Sequence, residues 1–382
     1  MPRKTIVLHD YFEAAEGGGR LSLVLARAWR TDLAYGFKAP DHPYFSASPF
    51  PQREYDLGVR TRVQGWRQFQ LARAFAGRSR FLDDYDLAIY SGFYAPLAVQ
   101  HHREGSDIYY CHTPPRFIYD QRDFYLGSLP KWQRPLLQAL IRYIRPRYEE
   151  AVESMDLVLT NSENVRQRIK RHLGLEAKVV YPPCDTAARK WLGQGDFYLS
   201  CARLDPLKRV DRAVEAFLGM PRKKLVVVSG GPELSRIRKL AAGAGNIEIM
   251  GWVDEATLND LLGRCIATVY IPRDEDFGMS PVESMAAGKP VIGVGGGGIA
   301  ESVVAGETGL LLSADPPVEE VRQAVKEMTP ERALAMRGAC EERAARFDTA
   351  IFIERMRTIV ERVGGHSVPP NAGAPPVVGS PS

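Results

Sequence analysis

The segment DEDFGMSPVESMAAGKPVIGVGGGGIAES, residues 274–302, holds two carboxylates, Glu275 and Glu283, with seven residues between them. Carboxylates accept hydrogen bonds, and vicinal hydroxyl groups are natural donors to them. Ser280-Pro281-Val282-Glu283 has the form of a helix start, with Ser280 as N-cap, Pro281 at N1 and Glu283 at N3 of a capping box. Glu275 then lies in the loop before the helix and Glu283 inside it. The two need not share a helix face and can touch different parts of one extended ligand. The loop Phe277-Gly278-Met279-Ser280 can aim backbone N–H groups into the same space, which suits hydroxyls or phosphates. Two plainer readings stand beside this one: Glu283 serves only its own helix end, and Glu275 is a solvated loop acid.

A second set of groups supplies positive charge. SCARLDPLKRVD, residues 200–211, puts Arg203 at a strand exit and Lys208 at the start of the next helix, after the Asp205–Pro206 turn. That arrangement can hold two phosphates, although ordinary surface charges would look the same. Gly295–Gly298 follow another strand and permit close backbone approach; they line a phosphate pocket or make a tight turn. Gly17, Gly18 and Gly19, in a loop after the first strand, offer a similar backbone surface. They are not the G-x-G-x-x-G dinucleotide signature. His112 ends the run IYYC and precedes Pro114–Pro115, and a lone histidine there can be purely structural. Acids for hydroxyls and cations for a diphosphate together describe a nucleotide sugar, in which sugar, diphosphate and ribose lie in series.

The elements that must position these groups alternate between short apolar runs and helical spacing. The runs 4–11, 86–92, 107–113, 156–162 and 178–183 read as strands in the first half. The runs 197–203, 224–231, 246–252, 265–271, 290–295 and 309–313 do so in the second. Helices are expected at 21–29, 163–173, 317–327, 330–346 and 349–363. Apolar strands alternating with helices imply parallel sheets, and 382 residues exceed what one core usually supports. The domains are expected at 1–184 and 185–348, with the helix near 349–363 joining the first. The Pro-, Gly- and Ser-rich stretch 364–382 is expected to be a disordered tail. No apolar run reaches the roughly 20 residues that span a bilayer, and the N-terminal run is too short for a signal peptide, so a cytoplasmic protein is expected. The cysteines (111, 184, 201, 265, 340) show no C-x-x-C spacing, which argues for free buried thiols. Residues 1–184 carry 26 Lys and Arg against 20 Asp and Glu. Six arginines (60, 62, 67, 73, 78, 80) lie there with Trp66, Phe69, Leu71 and Phe75 and no acid between them. In residues 129–148, Lys131, Arg134, Arg142, Arg145 and Arg147 alternate with Trp132, Leu136, Leu140 and Ile144. Such segments suit contact with an anionic membrane surface or form a solvated face over core. No nucleic-acid recognition motif is present.

Taken together, RLDPLK, GWVDEATLNDLL, EDFGMSPVE and AAGKPVIGVGGGGIAES, with GGG, CHTPPRFIYD (111–120) and LTNSENVRQRI (159–169), resemble the retaining glycosyltransferases of family 4. The resemblance covers nearly the whole chain except the tail. It implies an α/β protein of GT-B fold, two Rossmann-like domains with parallel sheets facing a central cleft. It implies that Arg203 and Lys208 hold the donor diphosphate, that Glu275 faces the donor sugar and that Glu283 faces the ribose. Phe277, Gly278, Met279 and Ser280 would contact sugar and phosphate, partly through backbone. Gly251 and Val253 would lie by the base, His112 near the sugar, and Gly18 or Gly19 near the phosphates. Glu275, His112, Arg203 and Lys208 are thus the expected catalytic set, with no cofactor and no metal; Asp83-Asp84-Tyr85-Asp86 reads as a solvated turn.

The segment HTPPRFIYD looks most like that of bacterial mannosyltransferases acting on polysaccharide or lipid-linked oligosaccharide. It implies GDP-mannose as donor, a glycan or lipid-linked acceptor, and a peripheral place at the inner face of the cytoplasmic membrane. UDP-glucose or UDP-N-acetylglucosamine as donor, a nucleotide-sugar epimerase, and an inactive binding or scaffold protein are the alternatives.

Overall fold

The computed structural model describes residues 4–13, 16–46, 50 and 52–364. The expected tail, past Gly364, lies outside the described residues. The chain forms two compact units: residues up to Tyr181 together with those from Phe352 onward, and Pro182–Ile351.

The first unit is built on a seven-stranded sheet. Its strands are β1 (Thr5–His9), β2 (Asp32–Tyr35), β3 (Glu54–Asp56), β4 (Leu87–Ser91), β5 (Ser106–Cys111), β6 (Leu157–Thr160) and β7 (Lys178–Val179). Their order is β3-β2-β1-β4-β5-β6-β7, and every pairing is parallel. Both faces are covered, which is why β4 is buried along its whole length and apolar up to Ser91 at its end. Side chains alternate across the sheet. Ile6, Leu8, Ala88 and Tyr90 face the helices Trp66–Gly77 and Arg134–Glu153 through Leu71, Phe75, Ile144 and Tyr148. Val7, Ile89 and Tyr110 face the helix Gly17–Trp29 through Leu21 and Leu25. Phe352, Met356, Ile359 and Val360 of the helix Thr349–Gly364 cover the same side.

Strands β2 and β3 have no counterpart in the sequence reading. Each is short and begins with an acid, and their pairing Leu33↔Glu54 joins segments that show no strand period of their own. The helix beginning at Gly17 corrects a second expectation: the glycine triplet is the first turn of that helix, not a loop before it.

The second unit has a six-stranded sheet of β8 (Phe197–Ser200), β9 (Lys224–Val228), β10 (Ile247–Gly251), β11 (Thr268–Tyr270), β12 (Val291–Val294) and β13 (Gly309–Leu312). The order is β10-β9-β8-β11-β12-β13, again parallel. In each sheet the order reverses once, between β1 and β4 and between β8 and β11. Loops leaving the C-terminal ends of such a pair diverge and open a crevice, where α/β sheets bind ligands. All five cysteines are free. Among the described residues, no helix is long and apolar enough to cross a membrane.

Candidate active site

In the second unit, the loops after β8 and β11 carry the expected charges to the reversal point. Lys208 Nζ lies 2.6 Å from Glu275 Oε2 and 3.2 Å from the Tyr270 hydroxyl. Burial works against the ammonium charge, but Tyr270 and Glu275 outweigh it and hold the Lys208 pKa above its ordinary value. Lys208 does not open a helix as expected. It closes a 3-10 turn, Pro206–Lys208, capped by Asp205, whose carboxylate accepts from Leu207 N. Arg209 follows at φ 51° and is buried. Its guanidinium donates to the carbonyls of Ile271, Pro272 and Ala314, fixing the β11 loop to the turn that presents Lys208. Arg203 is more exposed, its Nη2 3.6 Å from Asp205.

The helix after Glu275 corrects the capping expectation. It runs Met279–Ala286, and its N-cap is Gly278 at φ 86°, with no side-chain cap. Ser280 is therefore not the N-cap, and Pro281 is not at N1. The Glu283 carboxylate has another partner: it accepts from Arg189 Nη2 at 3.0 Å. Arg189 is buried and also bonds Glu255 and Asn259. The sequence reading missed it because its partners lie 66 and 94 positions away. The ring of Phe277 is buried against Phe347, centroids 5.5 Å apart, so only its backbone can meet a ligand. Gly278, too, is buried, whereas Met279 and Ser280 are partly open.

The glycine run supports this loop from below. Gly298 N donates to Glu275 O at 2.9 Å. A Cβ on Gly297 would come within 2.6 Å of Glu275 O, and one on Gly298 within 2.2 Å of Asp276 O. The glycines are thus a seat for the Glu275 backbone. Gly251, at φ 79°, and Val253 flank an exposed Trp252, whose indole lies over Gly230, where a Cβ would be 2.1 Å from Nε1.

In the first unit, Gly18 and Gly19 sit over histidines. A Cβ on Gly18 would lie 3.2 Å from His112 Nε2, and one on Gly19 would be 3.1 Å from the Phe12 ring and 3.5 Å from His9 Nε2. His112 Nε2 is 2.8 Å from Ser91 Oγ, which also neighbours Ser22 and His9. Burial pushes the His112 pKa down to about 4. Burial, with His112 adding to it, takes His9 down to about 3. Asp10, just after β1, accepts from the N–H groups of Phe93, Tyr94 and Ala95 at 2.9, 2.8 and 2.8 Å, which ties the exits of β1 and β4 together. The sequence reading missed His9, Asp10, Ser22 and Ser91; that His9 and Ser91 are register partners on adjacent strands follows only from the strand order.

Asp83 and Asp86 accept from backbone N–H groups of Arg103 and Lys4. Among the described residues, no group of three or more His, Cys, Asp and Glu side chains could hold a metal ion. The first basic segment is partly neutralised: Arg60 pairs with Asp56 and Arg67 with Glu13. In the second, Arg122, Arg142 and Arg145 line a cavity of about 430 Å³ with Gln138, Ile141 and Pro146. Trp132 and Leu136 are exposed on the adjoining stretch.

Two parallel-sheet α/β units with charged loops at their reversal points are the GT-B fold. HepE of Anabaena, solved in complex with UDP-glucose, has the same fold, with a TM-score of 0.72 and 16% identity over 94% of this chain and 99% of that one. Residues 187–347, within the second unit, match the family glycosyl transferases group 1. It is 29% identical over 207 residues to D-inositol 3-phosphate glycosyltransferase of Streptomyces bingchenggensis, covering 46% of each protein. It is 31% identical over 221 residues to GDP-mannose-dependent alpha-(1-6)-phosphatidylinositol monomannoside mannosyltransferase of Mycobacterium tuberculosis, covering 50% of this chain and 57% of the relative. The chain thus spans about half the length of these curated relatives.

Proposed function

We propose that the protein is a retaining glycosyltransferase that moves a hexose from a nucleotide sugar to a glycan or lipid-linked acceptor, with mannose from GDP-mannose as the donor. The observation that carries this reading is the Lys208–Glu275–Tyr270 cluster at the reversal point of the second sheet. It couples a cation suited to a leaving diphosphate with an acid suited to sugar hydroxyls. Lys208, Arg203 and the first turn of Met279–Ala286 would stabilise charge on the departing diphosphate, with no metal or cofactor taking part. Glu283, oriented by Arg189, would accept from the ribose; the backbone of Phe277 and Gly278, with Met279 and Ser280, would meet the sugar and phosphate. Gly251 and Val253 would flank the base.

GDP-mannose is supported by the mycobacterial relative's name and by the HTPPRFIYD segment. A UDP-sugar donor is the second reading, favoured by the fold shared with HepE, which was solved with UDP-glucose. Contact with an anionic membrane is supported by the arginine-lined cavity and the exposed Trp132 and Leu136 beside it.

Calorimetric titration with GDP, UDP, ADP and dTDP, then with the matching sugar nucleotides, tests the donor; tight UDP binding with none for GDP would replace mannose from GDP-mannose by the second reading. Glu275→Ala is expected to lower sugar transfer by at least about a hundredfold while leaving the thermal transition in place. Full transfer by that variant would remove Glu275 from the mechanism.

A further inference from the structure

Arg189 lies in the stretch between β7 and β8, outside any helix or strand, yet it is 4% exposed. A guanidinium leaves water at low cost only where acceptors receive its donors. Here the acceptors come from two helices of the second unit. On Glu255–Arg264, Glu255 and Asn259 stand one turn apart and share Nη1. On Met279–Ala286, Glu283 takes Nη2 at 3.0 Å. The guanidinium is planar and its two arms are rigidly set. The direction of the Glu283 carboxylate is therefore fixed by the helix Glu255–Arg264 as well as by its own. Burial works against the Arg189 charge, but Glu283 and Glu255 outweigh it and hold its pKa above the ordinary value. Two carboxylates meet one cation, so this cluster carries one negative charge in excess. Hydroxyl donors are drawn to such a group; phosphate oxygens are not.

The Glu283 side chain keeps 16% of its surface open, against 2% for that of Arg189, so a ligand can reach the acid while the guanidinium stays behind it. The charge of Glu283 is felt at Cys201: burial first, and then Glu283, push that thiol up to about 12. Cys201 follows β8 directly and stands two residues before Arg203. The acid thus lies beside the strand exit that carries a cation suited to phosphate.

We propose that Arg189, backed by Glu255 and Asn259, is a positioning residue that holds Glu283 for ribose hydroxyls and so makes the site select ribonucleotides over their deoxy forms. Two vicinal hydroxyls give two donors to a carboxylate held in one orientation, and a dideoxy sugar gives none. That a nucleotide occupies the crevice rests on the proposed function; the network itself does not. A plain structural clamp, tying the stretch before β8 to two helices, would use the same bonds but would not distinguish one sugar from another.

Calorimetric titration of the full chain with GDP and with dideoxy-GDP, which lacks both ribose hydroxyls, separates the two roles; the uridine pair replaces them if UDP proves to be the ligand. The unmodified protein is expected to favour GDP by at least about tenfold, the worth of one hydrogen bond to a charged group. Arg189→Met should remove most of that preference by weakening GDP, with dideoxy-GDP bound as before. Equal losses for both ligands would leave Arg189 a structural clamp, and an intact preference would detach it from the ribose; either overturns the proposal. If Arg189→Met does not fold, Arg189→Lys, which keeps the charge and loses the two-armed geometry, is read in the same way. Equal binding of both ligands by the unmodified protein overturns the proposal and leaves the nucleotide site standing. If no nucleoside diphosphate binds at all, the proposed function fails and this inference with it.

Discussion

Lys289 carries its ammonium group into the second unit, where the residue is 1% exposed and its Nζ donates to Gly193 O at 2.6 Å. Burial lowers its pKa to about 8. Between that value and the ordinary lysine value, the unfolded chain binds the proton and the folded chain does not, so this residue adds stability as pH rises. Lys289→Met removes the titration and keeps the length of the side chain. The stability difference between variant and unmodified protein, measured by urea unfolding at pH 7.5 and pH 10, should therefore shift in favour of the unmodified protein by about 1–3 kcal/mol at the higher pH. An unchanged difference would show that Lys289 holds its proton throughout. Sequence made some site residues legible and not others for a related reason. Arg203, Lys208, Glu275 and Glu283 lie within short motifs whose chemistry can be guessed locally. Arg189, Tyr270, His9, Ser22 and Ser91 take their meaning from partners brought together by the fold.

Gly297 and Gly298 show the same limit at the level of an element. Four glycines in a row signal close approach, but what approaches is the backbone at Glu275 and Asp276, supplied by the loop after β11. Gly298→Ala would force a Cβ to within 2.2 Å of Asp276 O, and backbone cannot yield as a flexible side chain can. This variant should lose about 1–3 kcal/mol of stability and most of its sugar-nucleotide affinity, read by thermal unfolding and calorimetry. Gly338 is the control. It lies inside the helix Arg337–Ala345 with open space where a Cβ would go, and Gly338→Ala should stabilise by about 0.5–1 kcal/mol with affinity untouched. Destabilisation there, or none at Gly298, would contradict the geometry. The long apolar strands of both sheets were readable from their runs of Val, Ile, Leu and Tyr. β2 and β3 were not, since both are short and lie toward one edge of the sheet, with β3 the edge strand itself. The Met279–Ala286 helix was foreseen, but it starts earlier than expected, after Gly278 at φ 86°, and Glu283 faces Arg189 instead of the helix end.

For the whole molecule, the clearest dependence runs through the final helix. Phe352, Met356, Ile359 and Val360 bury one face of the first sheet, and side chains of this size contribute about 1.5–3 kcal/mol each when fully buried. Their sum is comparable to the net stability of a domain. A chain ended after Asp348 should lose protection of β1, β4 and β5 in hydrogen exchange, with β8, β11 and β12 keeping theirs. Retained protection in the first sheet would show that the helix is dispensable. Alternating strands and helices were enough to expect two α/β units and parallel sheets; the strand orders, and hence the reversal points, came only with the structure.

The route of the chain has a consequence for inheritance. Because it leaves the first unit at Tyr181 and re-enters at Phe352, the intervening 182–351 is an insert, not an appendage. Grafting a foreign half at one joint would bring along an alien terminal segment to cover the host's hydrophobic face. A successful chimera needs two splice points, one on each side of the insert, so that residues 352–364 travel with the sheet they shield.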